Sequence, residues 1–211
     1  MAKAEDGLFG KLSGKIGDVV FSSWKGIPYV KSKPSGNSSN TKAQQNQRSK
    51  FKIVISFIND IKPVINAGFK WNIDRMTEMN SATSYIMKNA VKGEKPELEI
   101  DYPSVLVARG TLPGPQEAAV SAEEENVLRF SWSFDTNLGI QRGNDHVLAL
   151  AYHPEQEQGV WVADGSILRK EEQLELRLPN NWAITEIAPY LAFATSDGSD
   201  ASDSVYLGEE G

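Results

Sequence analysis

Two β-prone runs open the readable part of the chain. Asp18-Val19-Val20-Phe21-Ser22-Ser23-Trp24 is followed by Lys25-Gly26 and then Ile27-Pro28-Tyr29-Val30-Lys31-Ser32-Lys33-Pro34. An X-Gly pair between such runs predicts a β-hairpin. Pro28 has no N–H to give a ladder, which predicts an edge for the second strand. Residues 34–40 are a loop by composition, and Thr41-x-x-Gln44 then has the form of a capping box that opens a helix. The period becomes helical from there: Phe51, Val54, Ile55, Ile58, Ile61 and Ile65 fall on one face with Phe57 beside them, while Lys52, Ser56 and Asn59 lie opposite. Lys62-Pro63 breaks or kinks this helix. A second helix is predicted from Thr77, with Met79, Ala82, Thr83, Ile86 and Ala90 as its apolar stripe and Gly93 as its C-terminal cap. Met76, Met79 and Met87 read as gap-filling core.

Beyond residue 96 the pattern shortens to strands and turns. Residues 98–102 and 105–108 are candidate strands around Pro103, and Gly110 with Pro113-Gly114-Pro115 reads as a linker. Further strands are expected at residues 127–132, 146–152, 159–162, 173–178, 188–195 and 204–207. Six or seven short strands with regular turns predict an antiparallel sandwich. Leu128, Phe130 and Trp132 alternate with polar residues, as one buried face requires.

Charge changes with the pattern. Residues 1–92 hold 15 Lys+Arg against 6 Asp+Glu, a balance of +9; residues 93–211 hold 7 against 22, a balance of −15, and the sum is the net −6. The expected fold class is therefore α+β: a basic hairpin-plus-helix head over residues 1–95 and an acidic β-sandwich of fibronectin-III or immunoglobulin type over residues 96–211. The chain has no cysteine, which removes disulfides, thiolate metal sites and a Cys nucleophile. The first residues lack the apolar core of a secretory signal, and the most apolar run, residues 53–58, is too short to span a bilayer. A cytoplasmic location without membrane insertion is the default expectation, with later release left open.

Catalytic patterns are thin. Gly10-x3-Gly14-Lys15-Ile16 is one residue short of a phosphate loop, and Ile16 stands where a magnesium-binding hydroxyl is needed. His146 and His153 are seven apart on one expected strand, so they point to opposite faces and do not form a dyad. Asp197, Asp200 and Asp203 are spaced by three, unlike the calcium loop of a helix-hand, and the closing Glu is missing. No catalytic residue, metal ligand or cofactor is expected. The candidate binding residues are Trp24, Lys25, Tyr29, Lys31, Lys33 and Arg48, an aromatic-and-basic set suited to stacking and anion contact. Gln44, Gln45, Asn46, Gln47 and Arg48 form a polar collar at the first helix start.

Three resemblances accompany this reading. Leu128-Arg129-Phe130-Ser131-Trp132 resembles the second strand of a fibronectin type III domain, and residues 189–198 with Ser202-Asp203-Ser204 resemble its last hairpin. Trp182 stands near the position of that domain's corner tyrosine. Gly17-Asp18-Val19-Val20, Trp24-Lys25-Gly26, Tyr29-Val30-Lys31, Met79-Asn80-Ser81-Ala82, Ile100-Asp101-Tyr102 and residues 202–208, in that order, resemble an uncharacterised family of small proteins, chiefly from Bacteroidota, classed as a domain of unknown function. That resemblance spans nearly the whole chain and implies no activity. Lys33-Pro34, Asn40-Thr41-x-Ala43-Gln44-x3-Arg48-x2-Phe51 is similar to a short motif of phage and prophage proteins.

The leading expectation is a non-enzymatic structural or binding protein, a component of a phage-like or surface assembly. It self-associates or binds a protein partner through the hairpin edge, or by setting the basic head of one copy against the acidic module of another. The alternatives are a nucleic-acid-binding adaptor using the basic head, and a carbohydrate-binding module or hydrolase with carboxylates brought together in space.

Overall fold

The structure is a computed structural model that describes residues 3–4, 12–24, 27–33, 41–70, 76–94, 96–124 and 126–208, without the side chains of residues 3, 4, 123 and 124. The fold is α+β, with hairpin strands at the N-terminus and a sandwich-like arrangement further on. By contacts the chain divides into two compact units, residues 1–41 and 42–211.

The first unit is an antiparallel meander of β1 (Lys3–Ala4), β2 (Leu12–Ile16), β3 (Val19–Trp24) and β4 (Ile27–Ser32), in that spatial order. Gly17 makes the β2–β3 turn possible with a φ of +58°, where a side chain would be strained. The β3–β4 hairpin stands where the two β-prone runs predict it, and β4 is the edge strand that Pro28 implies. Its turn, Lys25-Gly26, lies outside the described residues.

The second unit opens with three helices, α1 (Lys42–Asp60), α2 (Lys62–Gly68) and α3 (Glu78–Asn89). Pro63 sits in the first turn of α2, so it starts a new helix where its missing N–H does no harm. Thr77 caps α3 by accepting the Asn80 N–H at 3.3 Å. Val54, Phe57, Ile58, Ile61 and Ile65 form the buried stripe expected of α1 and α2, but Phe51 is half exposed and outside it. Met79 and Met87 pack on the core, whereas Met76 is largely exposed. The helix caps at Ala90 rather than Gly93; Gly93, at φ +78°, instead turns the short ribbon of β5 (Val91–Lys92) and β6 (Glu99–Ile100).

Among the described residues the sandwich has seven strands. These are β7 (Gln116–Glu124), β8 (Val127–Ser133), β9 (His146–His153), β10 (Gln158–Val162), β11 (Gln173–Arg177), β12 (Ala188–Ala194) and β13 (Val205–Tyr206). One sheet runs β11-β8-β7 and the other β10-β9-β12-β13. Leu128, Phe130 and Trp132 of β8 and Leu174 and Leu176 of β11 meet Val147, Ala149, Leu191 and Phe193 of the other sheet in a closed core. β8 and β11 bury alternate residues, as a strand with one wet face does.

β9 and β12 differ, because all of β12 and all but the first residue of β9 are buried. The reason is a third layer. Leu150, Tyr152, Ala188 and Tyr190 face away from the sandwich core and pack against Phe57, Ile61, Val64 and Ile86 of the helices. The expected boundary near residue 95 therefore falls inside the second unit. The basic helical segment is bonded to the acidic strands by a shared apolar core, and a change of charge does not mark a change of domain.

Residues 105–108 form no strand, although Val105, Val107 and Ala108 are buried. This extended segment is fastened by side chain and backbone instead: the Val107 N–H donates to Ser204 Oγ, and the Ser204 N–H donates to the Ala108 carbonyl. The stretch expected as a linker, residues 110–115, is likewise tied down, for Leu112 bridges Ser202 and Gly110 N–H donates to Asp203 Oδ1. Strand β7, which follows it, has no counterpart among the expected strands.

Candidate functional site

The aromatic and basic residues singled out in the hairpin come together on one face of the first unit. Cross-strand partners in a pleated sheet share a face. The register sets Trp24 opposite Ile27, Ser22 opposite Tyr29, and Val20 opposite both Lys31 and Lys15. Trp24, Ile27, Tyr29, Lys31 and Lys15 thus form one stripe. Lys31 Nζ stands 5.8 Å from the centre of the Tyr29 ring, within cation–π reach. Lys33 follows the end of β4, where its N–H donates to the Asp18 carbonyl. The opposite face carries Ile16, Val19, Phe21 and Val30 by the same alternation.

No described side chain of this sheet is buried, and Ile27, Val30, Trp24 and Ile16 are exposed by 64%, 61%, 59% and 55%. Arg48 is exposed on α1 and belongs to the second unit. Lys25 lies outside the described residues. The six candidate binding residues therefore resolve into four on or beside one strand pair, one in another unit, and one that is not described.

The other candidate groups are occupied within the fold. His153 is buried at the end of β9 against the Trp182 ring, with its Nδ1 accepting the Gln156 N–H and its Nε2 3.4 Å from Glu186 Oε2. Trp182 donates in turn to Gln156 Oε1. His146 lies at the other end of the strand, beside Gly165. The two imidazoles share no site. In the β12–β13 hairpin, Asp197 accepts from the Ser199 N–H and hydroxyl, Asp200 from the Thr111 N–H and hydroxyl, and Asp203 from the Gly110 N–H. These carboxylates fix a turn and anchor residues 110–111. Among the described residues no group of three or more His, Asp or Glu has the geometry to hold a metal ion.

One polar pair escaped the sequence reading. Arg169 is wholly buried and spans the end of the sandwich. Its guanidinium donates to the Pro113 and Gly114 carbonyls, lies 4.3 Å from the centre of the Phe193 ring, and approaches Asp145. Burial raises the Asp145 carboxyl above its usual range, against the pull of Arg142 and Arg169. Through Arg169 this pair holds β7's leading segment to the sandwich. Nothing in the local sequence Ile167-Leu168-Arg169-Lys170 distinguishes the buried cation from its exposed neighbour.

No helix among the described residues is long and apolar enough to cross a membrane. Comparison with curated proteins and with solved structures gives no match. A family model, described as a family of unknown function (DUF6266), matches residues 11–208. That span takes in the β2–β4 sheet, the helical layer and the whole sandwich, so the chain belongs to this family.

Proposed function

We propose that the protein is a non-enzymatic assembly protein, in which the N-terminal sheet of one copy docks on the acidic second unit of another. The observation that carries this reading is a sheet whose described side chains are all at least partly exposed while both faces bear large apolar groups. Strands with this composition gain stability only when an apolar face is covered. Strand β4 adds an edge, with no further strand beside it among the described residues, able to accept one. Charge selects the occupant. Residues 1–41 carry six Lys against Glu5, Asp6 and Asp18, a balance of +3, while residues 42–211 carry 16 basic against 25 acidic, a balance of −9. A contact between unlike surfaces of identical copies is heterologous and builds rings or filaments, as an assembly subunit of phage-like or surface type would.

The sandwich supports a supporting-module role. Its first, second and fifth strands form one sheet and its remaining four the other, an order in keeping with the fibronectin-III-like reading. Modules of that kind space and present other surfaces, though fold alone does not fix function.

The test is a pair of variants, Val30→Lys and Ile27→Lys, one on each face of β4, compared with the wild type by sedimentation velocity. At least one variant is expected to dissociate the wild-type assembly while leaving the circular dichroism of the second unit unchanged. A wild type that is monomeric, or two variants that assemble as the wild type does, contradicts the proposal.

The stripe of Trp24, Tyr29 and Lys31 favours a second reading, a stacking platform for single-stranded nucleic acid. It requires retention on an oligonucleotide that falls steeply with salt. Absence of retention at low salt removes it.

A further inference from the structure

β7 is the outermost strand of its sheet, and no described strand lies beyond it. Its register with β8 is regular from Ala119 to Ala122, between two shifts. Ala119, Ser121 and Ala122 are exposed there, and Val120 is half-buried. A stretch of edge that is uncharged and carries small side chains is the form that accepts another strand. In sequence, Glu117 precedes this stretch and Glu123-Glu124 follow it, with no Lys or Arg in the strand. A cavity of about 230 Å³ opens on the seam between the two sheets beside this edge. Val120 and Leu128 line it from one sheet, Tyr206 and Leu207 from the other, and Ile184 and Ile187 from the chain before β12. No charged side chain is among the described residues that line it.

β4 has the complementary features. It is the outermost strand of the first unit's sheet. Just past its end, the Lys33 N–H turns across the hairpin to the Asp18 carbonyl. Backbone groups alternate along a strand, so the Ser32 and Val30 N–H groups point away from β3, to the outer edge. Pro28 shares that side and has no N–H to give, so the donors of this edge are Val30 and Ser32. The Val30 side chain, 61% exposed, lies on the apolar face with Phe21, Val19 and Ile16. In sequence, Lys25 precedes β4, Lys31 lies in it and Lys33 follows it, with no acid between them.

We infer that β4 of one copy adds to the β7 edge of another, with Val30 seated over the seam cavity; this rests on the assembly reading above and names its contact. Strand addition draws affinity from backbone hydrogen bonds and specificity from pockets that take alternate side chains. The result is one sheet, β11-β8-β7 of one copy continued by β4-β3-β2 of the next. The cavity decides which face of β4 turns inward. Its uncharged lining accepts Val30, whereas the other face would desolvate the Lys31 ammonium. Trp24, Tyr29 and Lys31 then stand on the outer face, as strand alternation requires. Charge selects the occupant: lysines flank β4 and glutamates flank the regular stretch of β7, so the two edges attract in either strand direction. Both edges belong to one chain but to different units, so the contact repeats head to tail.

The experiment is disulfide trapping in the full chain, which has no cysteine of its own. Val30→Cys is combined in turn with Ala118→Cys, Val120→Cys and Ala122→Cys, the inward positions of β7. Neighbouring strands bring such Cα atoms within disulfide reach. The control joins Val30→Cys to Gln173→Cys on β11, at the opposite edge of the same sheet. After oxidation, one β7 position is expected to give a ladder of covalent oligomers about tenfold stronger than the control, because assembly holds the two thiols at high effective concentration. Separately, Val30→Lys is expected to raise the dissociation constant of the assembly about tenfold more than Ile27→Lys does, since it sets a charge over the apolar cavity. Sedimentation of the wild type keeps the two claims apart. A monomeric wild type removes the assembly reading and this contact together. An assembled wild type overturns the contact alone if no β7 position exceeds the control, if the disulfide closes within one chain, or if Ile27→Lys weakens assembly as much as Val30→Lys does.

Discussion

Arg169 Nη1 lies 3.7 Å from Asp145 Oδ2, and neither side chain has more than 5% of its surface in water. The pair joins the segment before β9 to the segment before β11, while the other hydrogen bonds of Arg169 reach the chain leading into β7. One cation therefore ties together three stretches distant in sequence. Arg169→Met keeps the apolar stem but leaves Asp145 with only Arg142, 3.4 Å away and partly in solvent. The expected loss is about 3 kcal/mol, near the low end for breaking a buried pair. The double variant Arg169→Met with Asp145→Leu is expected to recover part of it. Urea unfolding of the three proteins checks this, and equal stability of the single variant and the wild type contradicts it.

Gly110 is pressed against the β12–β13 hairpin. A Cβ there would stand 1.9 Å from the Ala201 carbonyl oxygen and 2.4 Å from Asp200 Oδ1. Neither neighbour is a flexible end that moves cheaply, since Asp200 is engaged with Thr111. Gly110→Ala is expected to cost about 1–3 kcal/mol by overpacking and to raise hydrogen exchange at the Thr111 and Leu112 amides. Gly114→Ala, whose Cβ would meet its nearest atom at 3.7 Å, is the matched control and is expected to be mild.

The β12–β13 turn has a pH dependence of defined sign. The Thr195 hydroxyl, then the Ser199 hydroxyl and N–H, hold the Asp197 carboxyl down at about 2. Its folded value lies below the ordinary Asp value of about 3.9, so the stabilisation is full above that ordinary range. It is lost as pH falls from there through about 2. The Ser199 amide resonance is expected to titrate with a midpoint near 2, and Asp197→Asn is expected to abolish that titration. A midpoint at the ordinary Asp value contradicts the assignment.

Much of this fold was legible from periodicity. The β3–β4 hairpin, the cap at Thr77, the break at Pro63 and the strands at β8 through β13 lie where alternation and turn residues put them. Strand β7 did not show because Gln116-Glu117-Ala118-Ala119-Val120-Ser121-Ala122-Glu123-Glu124 is rich in good helix formers. Of its described side chains only Ala118 and Val120 touch the core, and register shifts between Gln116 and Ala119 and between Ala122 and Glu124 break the alternation. Residues 105–108 failed in the other direction: Val105, Val107 and Ala108 are buried, but their backbone groups bond to Tyr102 and Ser204 rather than to a ladder.

The signal for the third layer was present. Val147-Leu148-Ala149-Leu150-Ala151-Tyr152 and Ala188-Pro189-Tyr190-Leu191-Ala192-Phe193-Ala194 are continuous apolar runs, whereas a sandwich strand with one wet face alternates. Such runs imply cover on both faces, and the helices of residues 42–89 supply it. Of the candidate site, the Trp24, Tyr29 and Lys31 stripe was readable from β alternation. The buried Arg169–Asp145 pair was not, because its two residues and the carbonyls that Arg169 holds come from three stretches distant in sequence.

The central claim, that the N-terminal sheet joins one copy to the acidic unit of the next, is tested most directly by the native mass of the wild-type chain. Light scattering on a sizing column, at low and at high salt, reads it. The account predicts a mass above that of one chain at low salt, falling at high salt as the charge attraction is screened. A single-chain mass at both salts contradicts it, and an assembly indifferent to salt contradicts the role given to charge.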